Sequence, residues 1–312
     1  MFWFTIPLIA LVLDLWLKDP PHWPHPVRLV GLVLQRMESL ARGSRISLRI
    51  AGALCTLVMA LAAGLLVHLL VSLPVLGWLL ALYLSYAGLA LGGLLQECRR
   101  VTVLLRDKDI PRARAAMAGL VSRDVSELDE DGLRRALAET VSENLNDAFV
   151  APFFYLICLG PAGLWAYKTV STMDSMWGYK TPQWRELGWA AARTDDVLAF
   201  LPARMTALSL LVFARLLGYA GFSWSEVKIV AARTESPNAG WPMSAAALIF
   251  QSGMGGPTRY FGSLKAKPWL GPSQNPWTDE KLTGLLRLTI ISGLGFSFLA
   301  LSIIFPIRQF FS

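Results

Sequence analysis

Apolar residues in this chain are grouped in blocks rather than spread in stripes. Ile50–Ser72 and Val75–Leu95 contain no Asp, Glu, Lys or Arg, and only Leu73 and Pro74 part them. Blocks of that length match the roughly 20 residues a helix needs to cross a hydrocarbon core. They predict a transmembrane hairpin over 50–72 and 75–95 with a tight turn. Leu285–Phe305 predicts another span, interrupted only by Arg287 near its start. Phe2–Leu17 is shorter and holds Asp14. With neither a basic leader nor a small-residue cleavage site, it reads as an anchor rather than a removed signal. Ala148–Tyr167 carries Pro152 and Pro161, and Phe200–Ala220 carries Arg204 and Arg215. These two segments predict broken or re-entrant elements covered by protein.

Between the blocks lie four polar segments, Lys18–Arg49, Gln96–Asp147, Lys168–Ala199 and Gly221–Gly284. The second reads as helical. Pro111 suits the first turn of a helix continuing from Arg112 to Leu120. Ser126 with Asp129 gives a start signal for a helix whose apolar stripe is Leu133, Leu137 and Val141. Strand signals are weak and no internal repeat or linker is visible. The expectation is one all-α, integral-membrane domain over residues 1–312, with helical and irregular loops forming the site.

Composition agrees. The 312 residues are 54% hydrophobic and only 16% charged, and the mean hydropathy is +0.47, the balance of a polytopic membrane protein. The net charge of +7 is therefore read through the positive-inside rule. Basic residues fill Lys18–Arg49 and Arg99–Arg135, which assigns both loops to the cytoplasm and the Leu73–Pro74 turn to the far side. Arg42, Arg45 and Arg49 are placed to meet anionic lipid headgroups. No basic stripe interleaved with aromatics supports nucleic-acid binding. Cys55, Cys98 and Cys158 are widely spaced and suggest neither a disulfide framework nor a zinc site.

Four polar motifs are dense enough to carry chemistry. Asp14–Gly31 is fixed by four prolines, with Asp19, His25 and Arg28 projecting from it; alternatively it is a rigid juxtamembrane turn with Trp16 and Trp23 at headgroup level. His22 and His25 lie among prolines, so helical-spacing metal ligation is not expected there. In the second motif, Glu139, Glu143 and Asp147 fall at i, i+4 and i+8 just before an apolar block. Like charges so spaced repel by about 0.2–0.5 kcal/mol per pair on a helix, and a divalent metal or cationic substrate would turn that into a site. The simpler reading is a solvated face with Arg135 offsetting Glu139.

The third motif runs from Lys168 to Lys180, followed by Arg193, Asp195, Asp196, Pro202 and Arg204. If Lys168 begins a helix, Ser171, Thr172 and Ser175 share its face and suit an anion; otherwise the hydroxyls bond to the preceding turn. The fourth is Glu235–Pro242, followed by Gly255–Gly262. Its prolines and glycine predict an irregular loop with backbone N–H groups turned to an anion, helped by Arg233 and Arg259; the alternative is a pair of helix-capping turns. No P-loop, Ser-His-Asp set, G-x-S-x-G or H-E-x-x-H occurs. Carboxylates, Lys and Arg favour phosphate and metal handling over a covalent nucleophile.

Taken in order, these motifs resemble the CobD/CbiB family, the adenosylcobinamide-phosphate synthases of cobalamin biosynthesis. The resemblance rests on Trp23–Arg28, Ser122-Arg123-Asp124, Glu143-Asn144-Leu145 with Asp147, Thr172–Met176, and Gly178-Tyr179-Lys180. It continues through Arg193 with Asp195-Asp196, Pro202-Ala203-Arg204 and Ser236–Pro242, so that it spans Asp14 to about Gly271. Lys18, Asn146, Ala148, Ser171, Met243 and Pro272 depart from the family pattern.

The resemblance implies a multi-pass enzyme of the bacterial inner membrane with its site facing the cytoplasm. It would join aminopropanol or its O-phosphate to a carboxylate of adenosylcobyric acid, a corrinoid, using ATP and Mg²⁺, alongside other cobalamin-assembly enzymes. On this reading Glu143 and Asp147 bind metal or amine, and Asp195 or Asp196 serves as metal ligand or general base. Lys168, Lys180 and Arg193 contact phosphate. His25, Arg28, Asn144, Thr172, Asp174, Ser175, Arg204, Ser236, Asn238 and Gly240 complete the substrate-binding set. Two other readings are a non-catalytic signalling protein of the related AmpE type and, with less support from the clustering of charges between apolar runs, a transporter.

Overall fold

The computed structural model describes residues 2–20, 23, 25–260 and 263–310. Pro21, His22 and Pro24 of the proline-rich motif lie outside this set. The helices in chain order are α1 Phe2–Leu17, α2 Pro26–Gly43, α3 Leu48–Val71, α4 Gly77–Gly88, α5 Leu91–Arg106, α6 Ile110–Ala118 and α7 Glu130–Asn144. A π-helix, Leu145–Val150, leads to α8 Ala151–Trp177, α9 Trp189–Leu198, α10 Phe200–Leu216, α11 Trp224–Ala231, α12 Gly240–Ile249 and α13 Asp279–Phe310. Among the described residues, strand is confined to β1 Met254–Gly255, β2 Thr258–Tyr260, β3 Ser263–Lys265 and β4 Trp269–Leu270. Four helical stretches among the described residues are long and apolar enough to cross a membrane, Leu48–Val71, Gly77–Arg106, Glu130–Trp177 and Asp279–Ile304, with a fifth if α9 and α10 form one span. The protein is an all-α polytopic membrane protein. Its chain divides into two compact units.

One unit comprises Met1–Ala90, Ala151–Ala199 and Leu299–Ser312. Its 24-residue α3 is about 36 Å long at 1.5 Å per residue, enough for a hydrocarbon core. Ser47 caps its start by accepting from the Ile50 amide. The turn to α4 is longer than the two residues expected, running through Ser72–Leu76 with Val75 at a φ of 65°. The second arm of the hairpin stops at Gly88; Leu89 and Ala90 part it from α5. Helix α8 packs on α3 and α4, and the Trp165 indole donates to the Leu84 carbonyl at 2.9 Å. A break does fall within 148–167, at Gly160 (φ 74°, ψ −170°). Pro161 follows it, and proline both lacks an N–H and disfavours a helical conformation in the preceding residue. Lys168 does not begin a helix as supposed: it lies well inside α8.

The other unit comprises Leu91–Val150 and Phe200–Phe298. Pro111 sits in the first turn of α6, which Asp109 caps. Helix α7 starts later than the Ser126 signal suggests. Ser126 spends its N–H and hydroxyl on Asp124, and Asp129 is the cap, accepting from the Gly132 amide at 2.8 Å. The stripe Leu133, Leu137 and Val141 is buried, as its spacing predicts. Arg134 fastens α7 to the start of α13 through Asp279 (3.0 Å) and is held in place by Glu130 of its own helix (2.6 Å). Strands β1 and β4 pair antiparallel, as do β2 and β3.

Candidate functional site

The predicted site residues fall into two groups, one in each unit. The acidic group hangs on the end of α7. Glu139 is buried, and both its oxygens are taken: Oε2 accepts from the Arg123 guanidinium and Oε1 from the Gly255 N–H at 2.7 Å. It is a structural clamp joining the Ser122–Asp124 motif and β1 to α7. Arg135 does not offset it; that guanidinium lies 5.0 Å from the centre of the Trp269 ring.

Glu143 and Asp147 are half-buried. Asp147, Lys267, Arg123 and Glu139 are the charges around Glu143. Glu139 and Asp147 both lie near Glu143, as their i, i+4, i+8 spacing expects, although Asp147 sits in the π-helix rather than in α7. There i→i+5 hydrogen bonds widen the turn, a distortion common at functional sites. Asn146 orients Asp147: its Nδ2 donates to Oδ1 of Asp147 at 2.7 Å, while its own Oδ1 accepts from the Thr206 hydroxyl at 3.0 Å. Asn144 turns back on α7, donating to the Thr140 carbonyl at 3.0 Å.

Arg204 meets the Ser236–Pro242 motif in this same unit. Its Nη1 donates to Asn238 Oδ1 at 3.1 Å and to the Phe200 carbonyl at 2.6 Å. The guanidinium also rests against the Phe200 and Trp241 rings at 3.4 and 4.8 Å. This cation is engaged in holding a loop by carbonyls and aromatic faces.

The open backbone nest expected here is filled from within. Ser236 Oγ accepts from the Asn238 and Ala239 amides at 3.3 and 3.2 Å. The irregular loop predicted here is shorter than expected, since α12 begins at Gly240. Pro242 stands in its first turn, where amides have no intrahelical partner to lose. Gly240 is required by close approach, since a Cβ would lie 2.3 Å from Thr234 Oγ1 and 2.7 Å from the Ala231 carbonyl oxygen. Arg233 is exposed, and the Arg259 side chain lies outside the described set.

The group in the unit that holds α2, α8 and α9 is mainly cationic. His25 is the N-cap of α2, its Nδ1 accepting from the Val27 amide at 3.3 Å, with Pro26 in the first turn. Burial lowers its pKa from the ordinary histidine value; Asp19, 3.7 Å from Nε2, opposes this, and Lys168 and Arg28 reinforce it. The neutral ring is thus the resting form, and the Asp19 contact is too long for a hydrogen bond. His25, Arg28 and Lys168 are thereby neighbours. The hydroxyls near Lys168 take the simpler of the two readings: Thr172 donates to the Lys168 carbonyl at 2.7 Å and Ser175 to that of Ser171 at 2.9 Å. Asp174 accepts the Gly178 amide on its carbonyl at 2.7 Å, closing α8.

On α9, Arg193 lies 3.6 Å from Asp196, which also feels Lys180. Asp195 is an electrostatic neighbour of Tyr155. That tyrosine stacks on Tyr167 at 4.8 Å and donates to the Leu198 carbonyl at 2.9 Å.

Among the described residues, no three His, Cys, Asp or Glu side chains converge as a metal-binding set. Glu143 and Asp147 nonetheless offer the hard carboxylate oxygens Mg²⁺ takes, and that ion commonly uses one or two carboxylates with substrate phosphates. Sequence reasoning missed Lys267, Asn146 and Thr206. Lys267 lies far along the chain in an irregular segment, and only the fold puts it beside Glu143.

The family model described as CobD/Cbib protein matches residues 7–289. A relative named cobalamin biosynthesis protein CobD, from Pelobacter propionicus, is 37% identical over 307 residues, covering 96% of this chain and 94% of its own. One named cobalamin biosynthesis protein CbiB, from Salmonella arizonae, is 35% identical over 315 residues, covering 97% of each. Another CobD, from Klebsiella pneumoniae, is 35% identical over 323 residues, covering 96% of each. No solved structure matches significantly. With a family match running from the first membrane helix into the last, and relatives aligned almost end to end, the chain belongs to the CobD/CbiB family.

Proposed function

We propose that this chain is a membrane-embedded ligase of cobalamin biosynthesis. It joins aminopropanol, or its O-phosphate, to a carboxylate of adenosylcobyric acid at the expense of ATP. Family membership supports the pathway. The observation that carries the chemistry is the half-buried Glu143–Asp147 pair beside Lys267 and Arg123, with Asp147 oriented through Asn146 and Thr206.

Amide formation from a carboxylate requires that an oxygen leave. A corrinoid carboxylate oxygen attacks the terminal phosphorus of ATP, ADP departs, and an acyl phosphate results. The amine nitrogen then attacks the acyl carbon, inorganic phosphate leaves, and the nitrogen loses a proton. Glu143 and Asp147 bind the aminopropanol ammonium and take two protons in turn, one that frees the nitrogen lone pair before attack and one lost after it; the same carboxylates would hold Mg²⁺. Bound there, Mg²⁺ would offset charge on the transferring phosphoryl oxygens. Lys168, Lys180 and Arg193 serve phosphate groups, with His25 and Arg28 contributing a neutral donor–acceptor and a cation. Asp195 and Asp196 set the charge around Tyr155 and Arg193. On this reading the protein lies in the inner membrane and takes ATP from the cytoplasm.

The test is direct. Purified protein in detergent or nanodiscs is incubated with adenosylcobyric acid, Mg-ATP and aminopropanol O-phosphate. The amide product is sought by mass together with stoichiometric ADP. ADP release that ignores the corrinoid, or no product with either amine, would sink the ligase and leave the signalling alternative.

A further inference from the structure

Helix α2 has a wider apolar face than its packing inside the protein uses. Val30, Leu34, Met37 and Ala41 turn onto the core around Trp177. Leu29, Leu32, Val33 and Leu40 are all exposed, Leu29 at 62% and Leu40 at 70%. At 3.6 residues per turn these four share an arc of about 100° beside the buried one. Arg36 falls in the middle of that arc, and Arg28, Gln35, Ser39 and Arg42 lie on the remaining side. Trp23, just before the helix, is exposed as well.

The place of α2 in its unit says what covers this face. Its inner side meets Ala51 and Cys55 of α3, and Met173 and Trp177 of α8. The first two lie about 5–10 Å past the start of α3, and the other two within the last 6 Å or so of α8, at 1.5 Å per residue. Helix α2 therefore rests against the ends of two membrane-crossing helices. The exposed apolar side of α3, from Ile50 through Leu54 and Leu57 to Leu61, approaches α2 by way of exposed Ile46. Arg45 and Arg49 stand at the same junction, the latter 4.1 Å from the Trp189 ring centre.

We propose that α2 is an in-plane interfacial helix. Its Leu29/Leu32/Val33/Leu40 face is sunk in the headgroup–acyl boundary, and Arg36, Arg45 and Arg49 engage the phosphates of anionic phospholipid. Helices of this kind bury their apolar face about 5–10 Å into that boundary, the level at which the ends of α3 and α8 meet α2. A second copy of the chain is the poorer occupant, because a twofold contact through this arc would set Arg36 near its own counterpart. Since His25 and Arg28 begin α2, the bilayer surface fixes the level of that polar motif.

The test places a nitroxide on single cysteines at Leu32, Leu40, Gln35 and Ser39, in full-length protein lacking Cys55, Cys98 and Cys158. The protein is held in nanodiscs of phosphatidylcholine and phosphatidylglycerol. Labels at 32 and 40 should collide several-fold more with oxygen than with a water-soluble nickel chelate, and labels at 35 and 39 the reverse. Chelate-dominated collisions at 32 and 40 would overturn the proposal. So would spin–spin broadening at those positions, which would mark a face between copies. With all native cysteines retained, R36E/R45E should lose the enrichment of phosphatidylglycerol among co-extracted lipids. Unaltered enrichment would refute the anionic contact.

Discussion

Glu143 and Asp147 carry the same charge a turn apart, half-buried, in a stretch that leads into an apolar helix. Such a pair persists where a cation or a proton transfer needs it. Glu143→Gln and Asp147→Asn should each lower ligation by at least about 100-fold, the scale of a lost acid–base or metal-holding group. Yield in the membrane fraction and monodispersity in detergent should stay unchanged. Wild-type turnover in both would reduce the pair to a helix surface. Glu139 has a different fate despite its identical chemistry, because Arg123 and the Gly255 amide consume its oxygens. Arg123→Ala leaves that carboxylate buried without its cation and should cost about 3–5 kcal/mol, read as a lowered thermal midpoint. Adding Glu139→Gln should restore part of the loss. His25 supplies a pH signature outside the membrane spans. Its folded pKa is depressed, so protonation favours the unfolded chain: its contribution is present above the unfolded value of about 6.5 and is lost as pH falls through the lower folded one. Between about pH 7 and pH 5 the wild type should lose more thermal stability than His25→Asn, which keeps an N-cap acceptor but does not titrate.

At the scale of elements, the apolar blocks and cap signals named the long helices but not α2, α9, α11 and α12, which lie mostly in the polar segments, and they could not show where the backbone leaves ideal geometry. The π-helix at Leu145–Val150 cannot be read from spacing, since the same residues fit an α-helix equally well. The break in α8 was signalled by Pro161, yet only the coordinates assign it to Gly160. That residue holds a φ of 74° with a ψ of −170°, a region open essentially to glycine alone. Gly160→Ala should therefore destabilise the protein by about 1–3 kcal/mol, seen as a lower thermal midpoint with kcat and KM little altered. No loss would mean that α8 can straighten there.

For the molecule as a whole, the alternation of apolar and polar segments decides the class. A chain of this hydropathy with blocks such as 50–72 has no stable place but a bilayer, and that follows from transfer free energy alone. For orientation, basic residues set an expectation by rule, and the proposed use of cytoplasmic ATP sets another. A cysteine at Thr181, in a background lacking the three native cysteines, should react with a membrane-impermeant thiol reagent only in inverted vesicles. Labelling from outside intact cells would overturn the proposal that Lys168, Lys180 and Arg193 serve a site facing the cytoplasm. The sequence by itself determined the membrane class, the helical hairpin, the polar motifs and, through their order, the family. These depend on composition and on neighbours a few residues apart. The tertiary structure decided which like-looking groups differ: Glu139 clamped while Glu143 faces Lys267, Arg204 bound to a loop, Ser236 filling the nest around it. Partners such as Arg134 with Asp279, or Lys267 with Glu143, are far apart along the chain. Only the closure of the fold, which no local pattern encodes, brings their charges within range.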